Sequence, residues 1–178
     1  MDVVKKNVES VGGVISITSE LGKGSCTTLK IPLTLAIVDG MEISVGNSIF
    51  TIPIANIRQS FKAEKESIIL DASGNEIIKC MDEFYPIVRI HDLYNIETDI
   101  TNIEDGILIW VEASDKSYCL FVDELLGEQQ VVVKPLPAYL NNFNIKDSGI
   151  SGCTILGDGN ISIILDVLNL YLVSENQY

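Results

Sequence analysis

SYCLFVDELLGEQQVVVKPL, running from Ser117 to Leu136, decides how the chain is read. Two apolar β-type runs, Tyr118–Val122 and Val131–Val133, are joined by the acidic, glycine-marked segment Asp123–Gln130. The stretch carries no His, no Ser or Cys beside a base and no ligand cluster. Asp123, Glu124 and Glu128 read most simply as carboxylates that solvate a bend. A β framework with a polar turn suits a surface that other proteins bind.

Outward from this stretch the chain is a succession of short β runs between turn residues. Met41–Val45 and Ser48–Ile52 flank Gly46-Asn47, a hairpin signal. Ile68–Leu70 and Glu76–Met81 lie either side of Asp71–Asn75, and Tyr85–Ile90 follows the turn Met81–Glu83. Ile107–Glu112 and Tyr118–Val122 flank Ser114–Lys116, while Thr154–Leu156 and Ile161–Leu165 flank Gly157–Gly159. Strands at such spacing predict a barrel or sandwich rather than a parallel α/β sheet.

An internal repeat sharpens the prediction. GNSIFTIPIANIRQ (46–59) matches DKSYCLFVDELLGE (115–128), and FYPIVRIHDLYNI (84–96) matches NISIILDVLNLYL (160–172), setting Phe50 against Cys119 and Tyr94 against Leu170. The offsets differ by a few residues, so two structurally similar halves are expected, as two small β-barrels side by side.

The first 33 residues read differently. Val4, Val8 and Val11 fall on one helical face ahead of Gly12-Gly13, a C-terminal stop. A hairpin follows, with Val14–Ile17 and Thr27–Ile31 as strands and Leu21–Gly24 as the turn, and Pro32 ends the unit. A single helix and hairpin cannot enclose a core, so this piece is expected to lean on something outside it.

Composition narrows the function classes. With 178 residues and a hydrophobic fraction of 47%, the chain can bury a real core. A net charge of −13 argues against a nucleic-acid partner, whose phosphates need clustered Lys and Arg, and against adhesion to an anionic bilayer. No apolar run approaches the roughly 20 residues of a membrane span, and MDVVKKNVES has no leader-like apolar region, so no direct membrane insertion is expected. Cys26, Cys80, Cys119 and Cys153 form no C-x-x-C pair, and three sit in strand-like contexts, so buried free thiols in a reducing, cytoplasmic compartment are expected.

GMEISVGNSIFTIPIANI, YPIVRIHDLYNI, LFVDELLGEQQVVVKPL and SGCTILGDGNISIILDVLNLY resemble the CheW-like regulatory domain of the bacterial chemotaxis histidine kinase CheA. The preceding MDVVKKNVESVGGVISITSELGKGSCTTLKIPLTLAI is similar to the C-terminal end of that kinase's ATP-binding domain. The resemblance implies a mainly β fold of two five-stranded SH3-like barrels over residues 34–178. Residues 1–33 would be a helix–hairpin fragment of an α/β GHKL kinase domain. It further implies docking of the adaptor CheW and of chemoreceptor cytoplasmic tips, with no chemistry in this fragment. ATP and Mg belong to the full-length kinase; this fragment is expected to hold no cofactor and no metal. A free-standing CheW-type adaptor is the neighbouring alternative, against which the N-terminal helix and hairpin speak.

Several residues are candidates for chemistry. Gly22, Gly24 and Ser25 fall where the family has the last glycine box beside the ATP lid, although Leu21 replaces the usual Pro. No Asn-rich magnesium motif and no DxGxG motif accompanies them, so a plain hairpin turn is the better expectation. His91 reads as a partly buried structural residue, because the family's phosphorylated His lies in a separate domain. Asp82, Glu83, Asp92, Asp99, Glu104 and Asp105 lack EF-hand spacing and read as a solvated acidic face. By resemblance, the partner-binding positions are Ile107, which opens a strand apolar on both faces, and Ile54, just after Pro53. Apolar exposure on residues 1–33 would also favour pairing of two copies.

Overall fold

The computed structural model describes residues 3–5, 8, 13–30, 37–72, 74–80, 82–134, 136 and 148–177. The chain divides into two compact units, Met1–Ala36 and Ile37–Tyr178. In the first, Val3–Lys5 and Val8 are helical, and Gly13 N–H donates to the Val8 carbonyl at 2.8 Å. Strands β1 (Val14–Glu20) and β2 (Gly24–Lys30) pair antiparallel around a turn at Leu21–Lys23. The boundary and linker expected between 32 and 36 lie outside the described residues, as does most of the expected helix 2–11.

The second unit holds two sheets. The five-stranded sheet has the order β11-β3-β4-β13-β12. Its members are β3 (Ile37–Val45), β4 (Ser48–Pro53), β11 (Glu124–Val132), β12 (Ile150–Ile155) and β13 (Ile161–Leu165). The six-stranded sheet has the order β5-β9-β10-β8-β7-β6. It is built from β5 (Ile57–Phe61), β6 (Ile68–Leu70), β7 (Glu76–Cys80), β8 (Glu83–Arg89), β9 (Ile107–Ala113) and β10 (Lys116–Val122). Two helices follow the equivalent strands β8 and β13: α1 (Ile90–Tyr94) and α2 (Val167–Gln177).

The mainly β fold and its two sheets agree with the expected pair of small SH3-like barrels, and the structure adds two particulars. First, no continuous ladder closes either sheet among the described residues. In the six-stranded sheet the two ends, β5 and β6, are consecutive in the chain and joined through Lys62–Ser67, so they act as one sharply bent strand. In the five-stranded sheet the ends meet only at a bridge between Lys134 and Cys153, with hydrogen bonds of 2.8 and 3.0 Å. Second, the sheets are not the two halves of the chain. Residues 57–122 form the six-stranded sheet whole, inserted between the strands of the other.

The repeat is real, but each match shifts by one residue. The two-residue turns after β3 and β9 place Gly46 (φ 54°) and Ser114 (φ 57°) alike. The same bulge interrupts β5 between Ile57 and Gln59 and β11 between Leu125 and Gly127. Phe50 stacks on Tyr94 at 5.6 Å, and Tyr118 packs on Tyr171 at 5.3 Å. Phe50 therefore corresponds to Tyr118, not Cys119, and Tyr94 to Tyr171, not Leu170. In a strand a one-residue slip exchanges the two faces, so the correction reassigns every side chain in the match.

With the right register the pairing is exchanged between the repeats. β4 of the first runs parallel to β13 of the second, and β10 of the second runs parallel to β8 of the first. Side chains alternate accordingly along β10. Tyr118, Leu120 and Val122 enter a core shared with Ile43, Phe50 and Ile52 of the other sheet. Cys119 and Phe121 point the other way, into a second core with Ile78, Tyr85, Ile87 and Leu108. This explains why β10 is apolar on both faces.

Most of β11 lies in Asp123–Gln130, where a bend is expected, with only its end in the expected run Val131–Val133, and β5 falls where no separate strand is expected. Both are edge strands with largely exposed residues, so no apolar alternation marks them. Asp123 also differs from its expected solvating role. Its carboxylate accepts from Gly46 N–H at 2.7 Å and from Thr98 Oγ1 at 2.5 Å, tying the β3–β4 turn to the start of β11.

Tyr118 is fully buried, and its hydroxyl donates to the Val167 carbonyl at 2.6 Å, joining β10 to the start of α2. Replacing Tyr118 by Phe removes this buried hydrogen bond and is expected to cost about 0.5–1.5 kcal/mol in denaturant unfolding; a change below the error of the fit would contradict this role. The four thiols are free; Cys26 is exposed, Cys119 is buried, and burial pushes the Cys80 and Cys119 thiols up from their ordinary pKa. Ellman's reagent is therefore expected to label Cys26 in the native protein and Cys119 only after unfolding. Equal native rates would show that the second core opens freely.

Candidate docking surface

Ile54 and Ile107 stand at opposite ends of edge strand β5. β4 ends at Pro53, and Ile54 opens the 3-10 turn Ile54–Asn56 that leads directly into β5. Asn56 Nδ2 donates to the Glu112 carbonyl at 3.0 Å, and Arg58 Nε donates to Glu112 Oε2 at 2.7 Å. The Arg58 guanidinium holds the Glu112 carboxyl below the usual carboxylate range. These contacts pin the beginning of β5 to the end of β9. The pairing then runs Ile57 against Val111 and Phe61 against Leu108, which brings the far end of β5 to Ile107. Val111 and Ile107 are separated by roughly 13 Å of strand, so the two candidates are separate anchors rather than one patch.

Their surroundings differ as well. Ile54 is half-buried on its turn. Ile107 is half-buried too, but it pairs with Val122 and packs against the shared core. Substitution of Ile107 therefore perturbs packing as well as surface.

The sequence reading overlooked further apolar positions. Phe84 and Ile161, which correspond in the repeat, are 54% and 65% exposed at the entries to β8 and β13. Ile155 lies directly across from Ile161 in the β12–β13 hairpin and is 55% exposed. Each sheet thus presents apolar side chains at the same end. The available signal was an apolar residue directly beside a polar turn, where a solvated hairpin would carry a polar one.

The chemical candidates are placed plainly. Gly22 and Gly24 have φ of 80° and 104°, the left-handed region that favours glycine in a hairpin turn. Ser25 Oγ pairs with Ser19 Oγ at 2.9 Å, and Lys23 pairs with Glu20 at 2.6 Å. These exposed groups, with their one cation already paired, do not by themselves make a nucleotide site. His91 is buried, with its ring edge-on to Phe121 at 5.9 Å and Nε2 3.5 Å from Asp92 Oδ1. Among the described residues no three His, Cys, Asp or Glu side chains converge as metal ligands, and no helix is long and apolar enough to cross a membrane.

Comparison with known proteins agrees with this architecture. Residues 39–173 match the model of the CheW-like domain. The chain is 35% identical over 177 residues to the chemotaxis protein CheA of Klebsiella aerogenes, covering 99% of this chain and 26% of that protein. It is 37% identical over 169 residues to CheA of Treponema pallidum, covering 94% of this chain and 20% of that protein. The chain therefore spans about a quarter or less of the relatives it matches. The crystal structure of the scaffolding protein CheW from Thermoanaerobacter tengcongensis shares the fold, with a TM-score of 0.58 at 16% identity, covering 72% of this chain and 88% of that one. By fold and by sequence, the chain belongs to the CheW-like domain family.

Proposed function

We propose that residues 37–178 are the non-catalytic regulatory module of a CheA-type chemotaxis kinase, docking a CheW adaptor and chemoreceptor tips in the cytoplasm and passing receptor state to the kinase. ATP and Mg chemistry would reside in the remainder of the longer protein, with residues 1–36 as the end of its ATP-binding domain. The observation that carries this reading is the repetition of exposed apolar residues, Phe84 and Ile161, at the same end of both sheets. A partner with the same two-sheet form could use one such end for each neighbour, so that chains of alternating modules propagate. Apolar anchors suit a domain of net negative charge, because they need no opposite charge on the partner. Identity to CheA proteins extends through Met1–Ala36 as well, which favours the kinase module over a free-standing adaptor.

The test is calorimetric titration of the 178-residue chain with the CheW adaptor of the same organism. Ile54→Asp is expected to weaken binding at least tenfold while moving stability by no more than about 0.5 kcal/mol, the range of a surface change. Ile107→Ala is expected to weaken binding too, with a stability loss of about 2 kcal/mol from the contacts it forfeits in the shared core. A folded chain that does not bind, or one whose binding ignores both substitutions, would remove the docking assignment.

A further inference from the structure

The bend that carries β5 into β6 encloses a cavity of about 420 Å³ against β7 and β9. Its floor belongs to the second core, with Phe61, Ala63, Ile78 and Trp110 as lining. Trp110, the one tryptophan of the chain, packs on Tyr85 at 5.0 Å. The Tyr85 hydroxyl is committed elsewhere, donating to Glu83 Oε2 at 2.7 Å. Trp110 Nε1 is shut off from solvent and meets no acceptor among the described residues. A buried donor left without an acceptor costs free energy, which an oxygen brought within its reach would recover.

The rim offers one charge of each sign. Lys62 and Glu64 both line the cavity, exposed on either side of the buried Ala63. Neither forms an ion pair among the described residues. The other lysine of the lining, Lys79, lies 3.1 Å from Asp82 Oδ1 and is already matched. The turn after Glu64 is held by hydrogen bonds. The Glu64 carbonyl accepts from Ser67 N–H at 2.9 Å and from Ser67 Oγ at 2.6 Å, and Lys65 N–H donates to Glu104 Oε1 at 3.4 Å. An apolar floor is thus flanked by one unmatched cation and one unmatched carboxylate. A simple anion would be opposed by Glu64 and a simple cation by Lys62, whereas a zwitterion complements both.

We propose that the cavity between the β5–β6 bend, β7 and β9 binds a free apolar α-amino acid. Its side chain rests on Phe61, Ala63 and Ile78, its ammonium faces Glu64, and its carboxylate faces Lys62 and accepts from Trp110 Nε1–H. The ligand is a small molecule and none of Ile54, Ile107 or the apolar sheet ends lines its site, so the proposal stands whether or not those dock an adaptor.

The experiment is titration of the isotope-labelled 178-residue chain with L-phenylalanine, followed through the indole N–H of its single tryptophan. Phenylalaninamide, which lacks the carboxylate, N-acetylphenylalanine, which lacks the ammonium, and glycine, which lacks the apolar side chain, are the controls. The expected result is a saturable shift of the Trp110 indole N–H and of the Ala63 and Ile78 amides with L-phenylalanine. Each control should bind roughly tenfold more weakly or worse, as loss of a charge-assisted contact or of the apolar body requires. Lys62→Glu should weaken L-phenylalanine by a similar factor, and because Lys62 is exposed the variant should retain its unfolding midpoint. No saturable shift within the solubility of the amino acid, or unchanged affinity in the folded variant, would overturn the proposal. Equal affinity for N-acetylphenylalaninamide would assign the cavity to a side chain of a polypeptide and overturn it as well.

Discussion

The exchanged parallel pairing of β4 with β13 and of β8 with β10 is the constraint on which the rest depends. Parallel partners cannot be joined by a tight turn, so each pair is made by chain segments far apart in sequence. The exchange makes Phe50 and Tyr118 contributors to one core and aims the helix after each borrowed strand at the opposite sheet. Neither sheet can lose its borrowed strand without exposing that core. Two pseudo-equivalent surfaces are thereby held in fixed relation on one body, which is what a module that joins two neighbours requires.

Much of the strand content was legible because the central strands are buried and apolar. The unbroken run Ile107–Val111 left open whether both faces are covered or one is kept for a partner; β9 packs into both cores. The edge strands β5 and β11 were not legible, because exposure removes the pattern by which strands are recognised. The repeat was visible, yet off by one in each match. Apolar residues occupy both faces of β10, so hydrophobicity alone could not choose the register; the turn residues Gly46 and Ser114 and the two tyrosines do. Asp123 shows the same limit. Its partners, Gly46 and Thr98, are remote in sequence, and nothing local distinguishes a carboxylate that ties three segments together from one that meets water.

The candidate site was less legible than the fold. Ile54 and Ile107 came from resemblance rather than from pattern, and the structure shows that they flank one edge strand while differing in how far each is committed to packing. Phe84, Ile155 and Ile161 escaped notice because a single apolar residue beside a turn looks like the end of a core strand until the sheet is seen. Lone surface apolar residues are common and need no function. Their occurrence at corresponding positions of both repeats is what singles these out.

Amide hydrogen exchange of the chain, alone and with an excess of the proposed partner, a CheW adaptor, tests the account most directly. Exchange should slow at the 3-10 turn Ile54–Asn56 and the start of β9, or at the sheet ends around Phe84 and Ile161, while the shared core stays equally protected in both states. Protection confined to other surfaces, or no change on adding an adaptor to the folded chain, would contradict the claim that this exchanged two-sheet body is a docking module.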